Sequence, residues 1–243
     1  MHLQAALNGP LSKQDHPAVP TSVEELVGDA VACVAAGAGS VHLHPRDEAG
    51  VERLTGAVVD GVVAAVRARC GVAVGVSTGA WIEPDPARRA ALVTGWRAPV
   101  FASVNVSEPG ADQVMRALLE AGIGIEAGVW SVEDAERLAA TGLGGEVLRV
   151  LVEPVDVRAA DAVGVVASIH DALDRAGIVA PRLQHGDGEA TWVLIEDAVA
   201  RGLDTRVGLE DTMLTPDGLR AAGNEPLVRA ARRLGAGLGA DGS

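Results

Sequence analysis

The stretch Ser40-Val41-His42-Leu43-His44-Pro45-Arg46-Asp47 governs the reading of the chain. On a strand, Val41 and Leu43 point to one face and His42 and His44 to the other, because side chains alternate with a period of two. Pro45 ends the apolar run, so both imidazoles belong to the strand's carboxyl end. Two histidines there, followed at once by Arg46 and Asp47, make a platform for a metal with charged groups beside it. The competing reading of this motif alone is a pair of ordinary hydrogen-bonded histidines. Two nitrogens also fall short of the three protein ligands usual for a catalytic zinc, so the rest of the chain must supply the third.

The same strand-and-helix unit recurs outward from this point. An apolar strand over 3–7 closes at Asn8-Gly9-Pro10, and a polar loop follows. Thr21-Ser22-Val23-Glu24 has capping-box spacing, and Val23, Leu26, Val27, Ala30, Val31 and Val34 then recur at helical period. Further strands are predicted over 72–77, 100–106, 124–129, 147–152, 179–184 and 205–209. They alternate with helices over 58–70, 85–94, 110–121, one capped by Ser131, then 159–176, 191–200 and 225–234. Eight such units with no second domain left over predict a closed (β/α)8 TIM barrel spanning 1–243. A doubly wound sheet would carry a Gly-x-Gly-x-x-Gly loop after the first strand, and none is present.

Polar residues concentrate at the predicted strand ends: Asn8, His42, His44, Ser77, Thr78, Ser103, Asn105, Glu126, Arg149, Arg182, His185, Arg206, Glu210 and Asp211. In a barrel the carboxyl ends converge on one face, where active sites form. An interior built from Ala and Val has no structural use for so many polar groups.

Composition narrows the function classes. The chain has 243 residues, 48% of them hydrophobic, with no Tyr and a single Phe, so its core rests on Ala, Val, Leu and Ile. A net charge of -13 and no basic stripe argue against a nucleic-acid binder, although a few local arginines can still hold an anionic substrate. Cys33 and Cys70 read as small core residues of an intracellular, cytoplasmic protein. No signal peptide is visible and no apolar run is long enough to span a bilayer, so no membrane role is expected.

Glu210 is the natural third ligand. It follows the last predicted strand, next to the first in a closed barrel, so His42, His44 and Glu210 become neighbours. Two imidazoles and a carboxylate suit Zn2+, and iron or manganese could use the same set. Asp211 is placed to accept a proton or to clamp a neighbour, and Arg206 to hold a carboxylate or orient Asp211. Ser77, Thr78 and Ser103 offer hydroxyls for a substrate carboxylate, and His185 a substrate contact or a loop hydrogen bond. Trp81 and Trp130 read as packing residues near the entrance. The residues alone reach a metal-dependent barrel enzyme acting on a small oxo acid or ester. A CoA-independent lyase or aldolase, a non-catalytic metabolite-binding barrel and a metal-stabilised scaffold remain alternatives.

The chain also resembles the β-keto acid cleavage enzyme family. The resemblance rests on Pro20-Thr21-x-x-Glu24-Glu25, Val41-His42-Leu43-His44-Pro45-Arg46-Asp47, Ser77-Thr78-Gly79, Arg206-Val207-Gly208-Leu209-Glu210-Asp211 and Asn224-Glu225-x-Leu227-Val228. It implies a TIM barrel holding zinc or another divalent metal on His42, His44 and Glu210. It implies conversion of a β-keto acid and acetyl-CoA into acetoacetate and a new acyl-CoA, by a homodimer or homotetramer. Asp211 and Arg206 would then help form the acetyl-CoA enolate, which adds to the keto group, and Glu126 would join the chemistry. Ser77 and Ser103 would hold the keto acid, and Asn105 falls on a family asparagine. Leu11 stands where the founding enzyme carries a glutamate that reads an amino group, which implies a side group other than a cation. The chain is also short for the family, lacking a glycine-rich insertion before the seventh strand and an extension after Leu234.

Overall fold

Strands of three to six residues, each followed by a helix, close into a ring in the computed structural model, which describes residues 1–237. The strands are β1 (Leu3–Ala6), β2 (Ser40–Leu43), β3 (Ala73–Ser77), β4 (Phe101–Asn105), β5 (Gly124–Val129), β6 (Arg149–Val152), β7 (Arg182–Gln184) and β8 (Asp204–Val207). The helices are α1 (Val23–Ala35), α2 (Gly56–Cys70), α3 (Pro86–Val93), α4 (Ala111–Ala121), α5 (Val132–Ala140), α6 (Ala159–Arg175), α7 (Thr191–Arg201) and α8 (Asn224–Arg233). All pairings are parallel, and β1 closes the ring on β8 with Gln4 opposite Arg206. The protein is thus a (β/α)8 barrel, as the repeating units predict. Among the described residues, no helix is long and apolar enough to cross a membrane.

Strand alternation divides the interior into two regions of different chemistry. Val41, Leu43, Val74, Val76, Ala102, Val104, Ile125, Ala127, Val150 and Val152 join one continuous apolar layer with the helices. Burial of this layer, worth about 25 cal/mol per Å² of apolar surface removed from water, supplies the main drive to fold. The other alternation faces the barrel axis and is largely polar. Gln4 Nε2 donates to Glu126 Oε1 across the barrel at 2.8 Å, and Arg149 Nε lies 2.9 Å from the same oxygen. The Arg149 guanidinium also sits 5.5 Å from the centre of the Phe101 ring.

Four differences from the sequence reading have structural consequences, beyond shifts of one or two residues at other element ends. The α1 capping box is one residue later than expected, with Ser22 Oγ accepting from Glu25 N at 3.2 Å. The Glu25 carboxylate accepts from Thr21 and Ser22 in return and pairs with Lys13, contacts that Glu24 does not make. Second, β7 begins at Arg182, not at 179: Val179 is 91% exposed and Pro181 has no N–H for a ladder. Third, Arg149 and Arg182 begin their strands, so they lie at the amino end of the barrel and not at the carboxyl face. Arg182 turns outward to His170 and Asp174 of α6. Finally, β8 ends at Val207, and residues 208–211 turn, with Asp211 N donating to Gly208 O at 3.0 Å.

That last turn matters for function, because adjacent residues on a strand would face opposite ways. Gly208 permits it: a Cβ there would lie 1.7 Å from the carbonyl oxygen of Ala6. Asn224, the first residue of α8 and fully buried, pins the turn to the opening of the barrel. Its Oδ1 accepts from Leu209 N at 2.6 Å, while its Nδ2 donates to Leu7 O at 2.8 Å and to Asp29. Replacing Asn224 with Ala leaves two buried backbone groups unpaired, each costing about 1–3 kcal/mol. The Asn224→Ala protein is expected to lose about 2–6 kcal/mol in denaturant-unfolding titrations.

Candidate metal centre

β2 and the turn after β8 bring His42, His44 and Glu210 together on one side of the barrel mouth. Asn8 fixes His44 from both sides, its Oδ1 accepting from His44 N at 2.9 Å and its Nδ2 donating to His44 O at 3.0 Å. Glu210 Oε1 lies 3.7 Å from His42 Nε2 and 3.6 Å from His44 Nε2. One donor atom from each of the three residues falls within 4.8 Å of the others. Atoms bound about 2.1 Å from one first-row ion stand about 3.4 Å apart at the tetrahedral angle, so the donor set needs little closing. His42 Nδ1 and Glu210 Oε2 are buried without a hydrogen-bond partner among the described residues. A carboxylate oxygen left bare beside two imidazoles is the arrangement that a cation completes. The cluster is therefore capable of coordinating a divalent metal, with open positions for water or substrate.

The surrounding charges are unevenly arranged. Arg206 is 3% exposed, and its Nη2 lies 2.6 Å from Asp211 Oδ1, 3.0 Å from Glu210 Oε1 and 3.9 Å from Glu153 Oε1. Burial works against the Glu210 carboxylate, yet Arg206 and the two imidazoles hold it well below the usual range. At Asp211 burial prevails over Arg206 and raises the carboxyl to about 6. Burial lowers the His42 imidazole to about 3. Burial also disfavours a charged His44, but the carboxylates of Glu210 and Glu52 override it and raise that imidazole to about 9.

A pocket of about 180 Å³ opens over the cluster, with Ser77, Ser103 and Asn105 on its wall beside Glu153, Arg206 and Asp211. Thr78, Glu126, His185 and Leu11 do not line this pocket. Thr78 donates its hydroxyl to Ser103 O at 2.7 Å and so ties β3 to β4. Glu126 is buried among Gln4 and Arg149 and does not border the pocket, although it stands within electrostatic reach of Arg206 and His185. His185 lies between two carboxylates, 3.5 Å from Glu153 and 3.8 Å from Asp211. Leu11 lines a neighbouring cleft of about 640 Å³, which shares Glu210, Asp211 and Asp187 with the metal pocket. Trp81 and Trp130 both line the pocket, so neither is mere packing.

Sequence reasoning missed Glu52 and Glu153. Glu52 accepts from Trp81 Nε1 at 3.1 Å and lies 3.0 Å from His44 Nδ1. It comes from a loop where no periodicity places a side chain. Glu153 follows β6 directly and could have been counted with the other polar strand ends.

The barrel with a metal-capable His-His-Glu cluster at its carboxyl face defines the class. Residues 1–241 match the family described as BKACE, beta-keto acid cleavage enzyme, and the chain belongs to that family. Among proteins of curated function, none matches the sequence. The apo structure of ObcA superposes with a TM-score of 0.70 at 17% identity, over 89% of this chain and 61% of ObcA. The ternary complex of ObcA with a C4-CoA adduct and oxalate gives 0.68 at 19% identity, over 89% and 63%. The 3-dehydroquinate dehydratase from Geobacillus kaustophilus HTA426 gives 0.63 at 9% identity, over 96% and 89%. At these identities the likeness is one of fold, and the chain spans about three fifths of the length of ObcA.

These shifts set how the site takes up a metal. In the metal-free protein His44 holds its proton up to pH of about 9, whereas His42 is already neutral. Metal binding at pH 7.5 should therefore release about one proton per ion, not two, as read by calorimetry in buffers of different ionisation enthalpy. The raised His44 also stabilises the metal-free fold fully below its ordinary value of 6.5, and this contribution disappears as pH rises through about 9. Urea unfolding of metal-free protein across that window should show the decline.

Proposed function

We propose that the protein is a zinc-dependent β-keto acid cleavage enzyme, exchanging a β-keto acid and acetyl-CoA for acetoacetate and a new acyl-CoA. One observation carries the reading: a metal-capable cluster and a buried Asp211–Arg206 pair border the same small pocket as Ser77, Ser103 and Asn105. Family membership supports it, as does a fold relative, ObcA, whose structures hold oxaloacetate or a C4-CoA adduct with oxalate. When bound, a divalent ion supplies Lewis acidity at the keto oxygen of the substrate. Ser77, Ser103 and Asn105 grip the substrate carboxylate and orient C2 toward Asp211.

Atom balance revises the direction of attack expected from the resemblance. Addition of an acetyl-CoA enolate to the keto carbon, followed by C2–C3 cleavage, would release acetate and a 3-oxoacyl-CoA. Acetoacetate instead contains C1 and C2 of the keto acid joined to the acetyl group. The carbanion must therefore form at C2 of the keto acid. Asp211 accepts that proton, and C2 bonds to the acetyl carbonyl carbon as the thiolate of CoA departs. The thiolate adds to C3, the C2–C3 bond breaks, and the electron pair left on C2 takes the proton back from Asp211. A carboxyl raised to about 6 suits both halves of that exchange. Arg206 orients Asp211 throughout, while Glu126 serves as a buried carboxyl group, held by Gln4 and Arg149, behind the site.

The second cleft fits the remaining substrate bulk. Leu11, Trp192, Val193, Met213 and Leu214 give it apolar walls, while Asp187, Glu189 and Glu196 add negative charge. It suits an uncharged chain better than an anionic one. His185 is buried between Asp211 and Glu153 and borders neither cavity, so in this reading it acts through those two carboxylates.

A mass-resolved assay of zinc-loaded protein with acetyl-CoA and a panel of β-keto acids tests the reading. Acetoacetate and a new acyl-CoA are expected, both dependent on both substrates; cleavage without acetyl-CoA would point to a lyase or aldolase instead. Asp211→Asn should lower kcat by roughly 10²–10⁴-fold with zinc still bound. The wild-type kcat/KM should fall below pH of about 6, where Asp211 takes up its proton.

A further inference from the structure

We propose that Glu52 and Trp81 are positioning residues of the metal centre, locking His44 so that its Nε2 alone is free to bind the ion. The inference rests on the reading of His42, His44 and Glu210 as metal ligands, and not on the identity of either substrate. Glu52 Oε2 lies 3.0 Å from His44 Nδ1 and accepts from Trp81 Nε1 at 3.1 Å. The Trp81 ring stacks on the His44 imidazole, with centroids 5.9 Å apart and planes inclined by 20°. The carboxylate holds a proton on Nδ1, so Nε2, which lies 3.6 Å from Glu210, is the nitrogen that gives up its proton to bind the ion. The stacked ring prevents the imidazole from swinging out of that orientation. His42 has no such clamp, since its Nδ1 finds no partner among the described residues.

Two sequence features outside the proposed reaction now acquire a role. Arg46 and Asp47, beside the histidine platform, do not line the metal pocket; they build the turn that returns Glu52 to His44. Asp47 N donates to Val51 O at 2.9 Å, the Asp47 carboxylate accepts from Ala49 and Val51, and Arg46 pairs with Glu52 as an isolated antiparallel bridge. Gly79 makes room for the ring, because a Cβ at that position would lie 2.2 Å from Trp81. Trp81 is itself 52% exposed, so core packing does not account for its placement. A large apolar ring held at the surface by a hydrogen bond to Glu52 and a stacked imidazole is placed for the imidazole's sake.

The test measures zinc affinity by competition with a chromophoric chelator, together with the visible spectrum of the Co2+-substituted protein. Glu52→Ala should weaken zinc binding by roughly 10- to 100-fold and change the Co2+ bands, and Glu52→Gln should do the same to a smaller extent. Trp81→Phe keeps a stacking face but drops the indole N–H, so it should weaken zinc binding less than Trp81→Ala does. Should Glu52→Ala fail to fold, the isosteric Glu52→Gln carries the comparison. Zinc affinity and Co2+ bands unchanged in the Glu52 variants would overturn the proposal. So would a loss of melting temperature in metal-free Glu52→Gln as large as that in the zinc-loaded variant, since Glu52 would then be structural. A wild type that binds no zinc overturns both the clamp and the metal site. Zinc binding that depends on Glu52, without acyl exchange, overturns the proposed reaction and leaves the clamp in place.

Discussion

A guanidinium buried among three carboxylates is the constraint on which this site depends. Arg206 stands near the end of β8 with Asp211, Glu210 and Glu153 around it, and almost none of it reaches solvent. Without it, three acids at the mouth of a low-dielectric barrel would repel one another and take up protons. With it, the acids diverge: Glu210 stays ionised beside the imidazoles, whereas Asp211 is pushed up toward neutral pH by its burial. Such buried ion clusters are poor sources of net stability, because desolvation offsets much of their mutual attraction. Their presence here is better explained by the separation of roles they produce, an anion for a metal and an adjustable proton acceptor one residue away.

Polar filling continues beneath the site. Gln4, Glu126 and Arg149 occupy the barrel axis where aliphatic layers are common, and the only Phe of the chain packs under the Arg149 guanidinium. Stability must then come from the outer apolar layer, where Val and Ala on the strands meet the helices. This division fits a composition rich in small aliphatic residues and nearly free of aromatic ones. It also gives the metal centre a stiff floor, because Glu126 and Arg149 are held by side chains from opposite sides of the ring.

Much of this was legible in the sequence, and the failures have physical causes. Period-two alternation places His42 and His44 on one face, and closure of eight units puts β8 beside β1 and Glu210 beside them. Alternation does not say where a strand begins, so it leaves Arg149 and Arg182 at the wrong end of the barrel. It also fails once a strand turns: Glu210 and Asp211 both border the pocket because the chain bends after Val207, and Gly208 and Asn224 make that bend possible. Glu52 was invisible for a related reason. Its position depends on a loop folding back on itself, and no repeat in the sequence records such a contact. Trp81 looked like packing because stacking on a histidine leaves no periodic trace.

The two cavities meet at a wall formed by Glu210, Asp211 and Asp187. In the proposed exchange, C2 of the keto acid must lose a proton, attack the acetyl group and regain that proton after cleavage. The same base serves both transfers only if it stays within reach of C2 while the sulfur moves from one carbonyl carbon to the other. A residue on the dividing wall satisfies that condition, whereas one on the far side of either cavity would not. Asp211 occupies this wall and is kept from rotating away by Arg206, through contacts of both Nε and Nη2 to its carboxylate. The bidentate grip that makes the buried cluster tolerable thus also holds Asp211 on the wall between the two cavities.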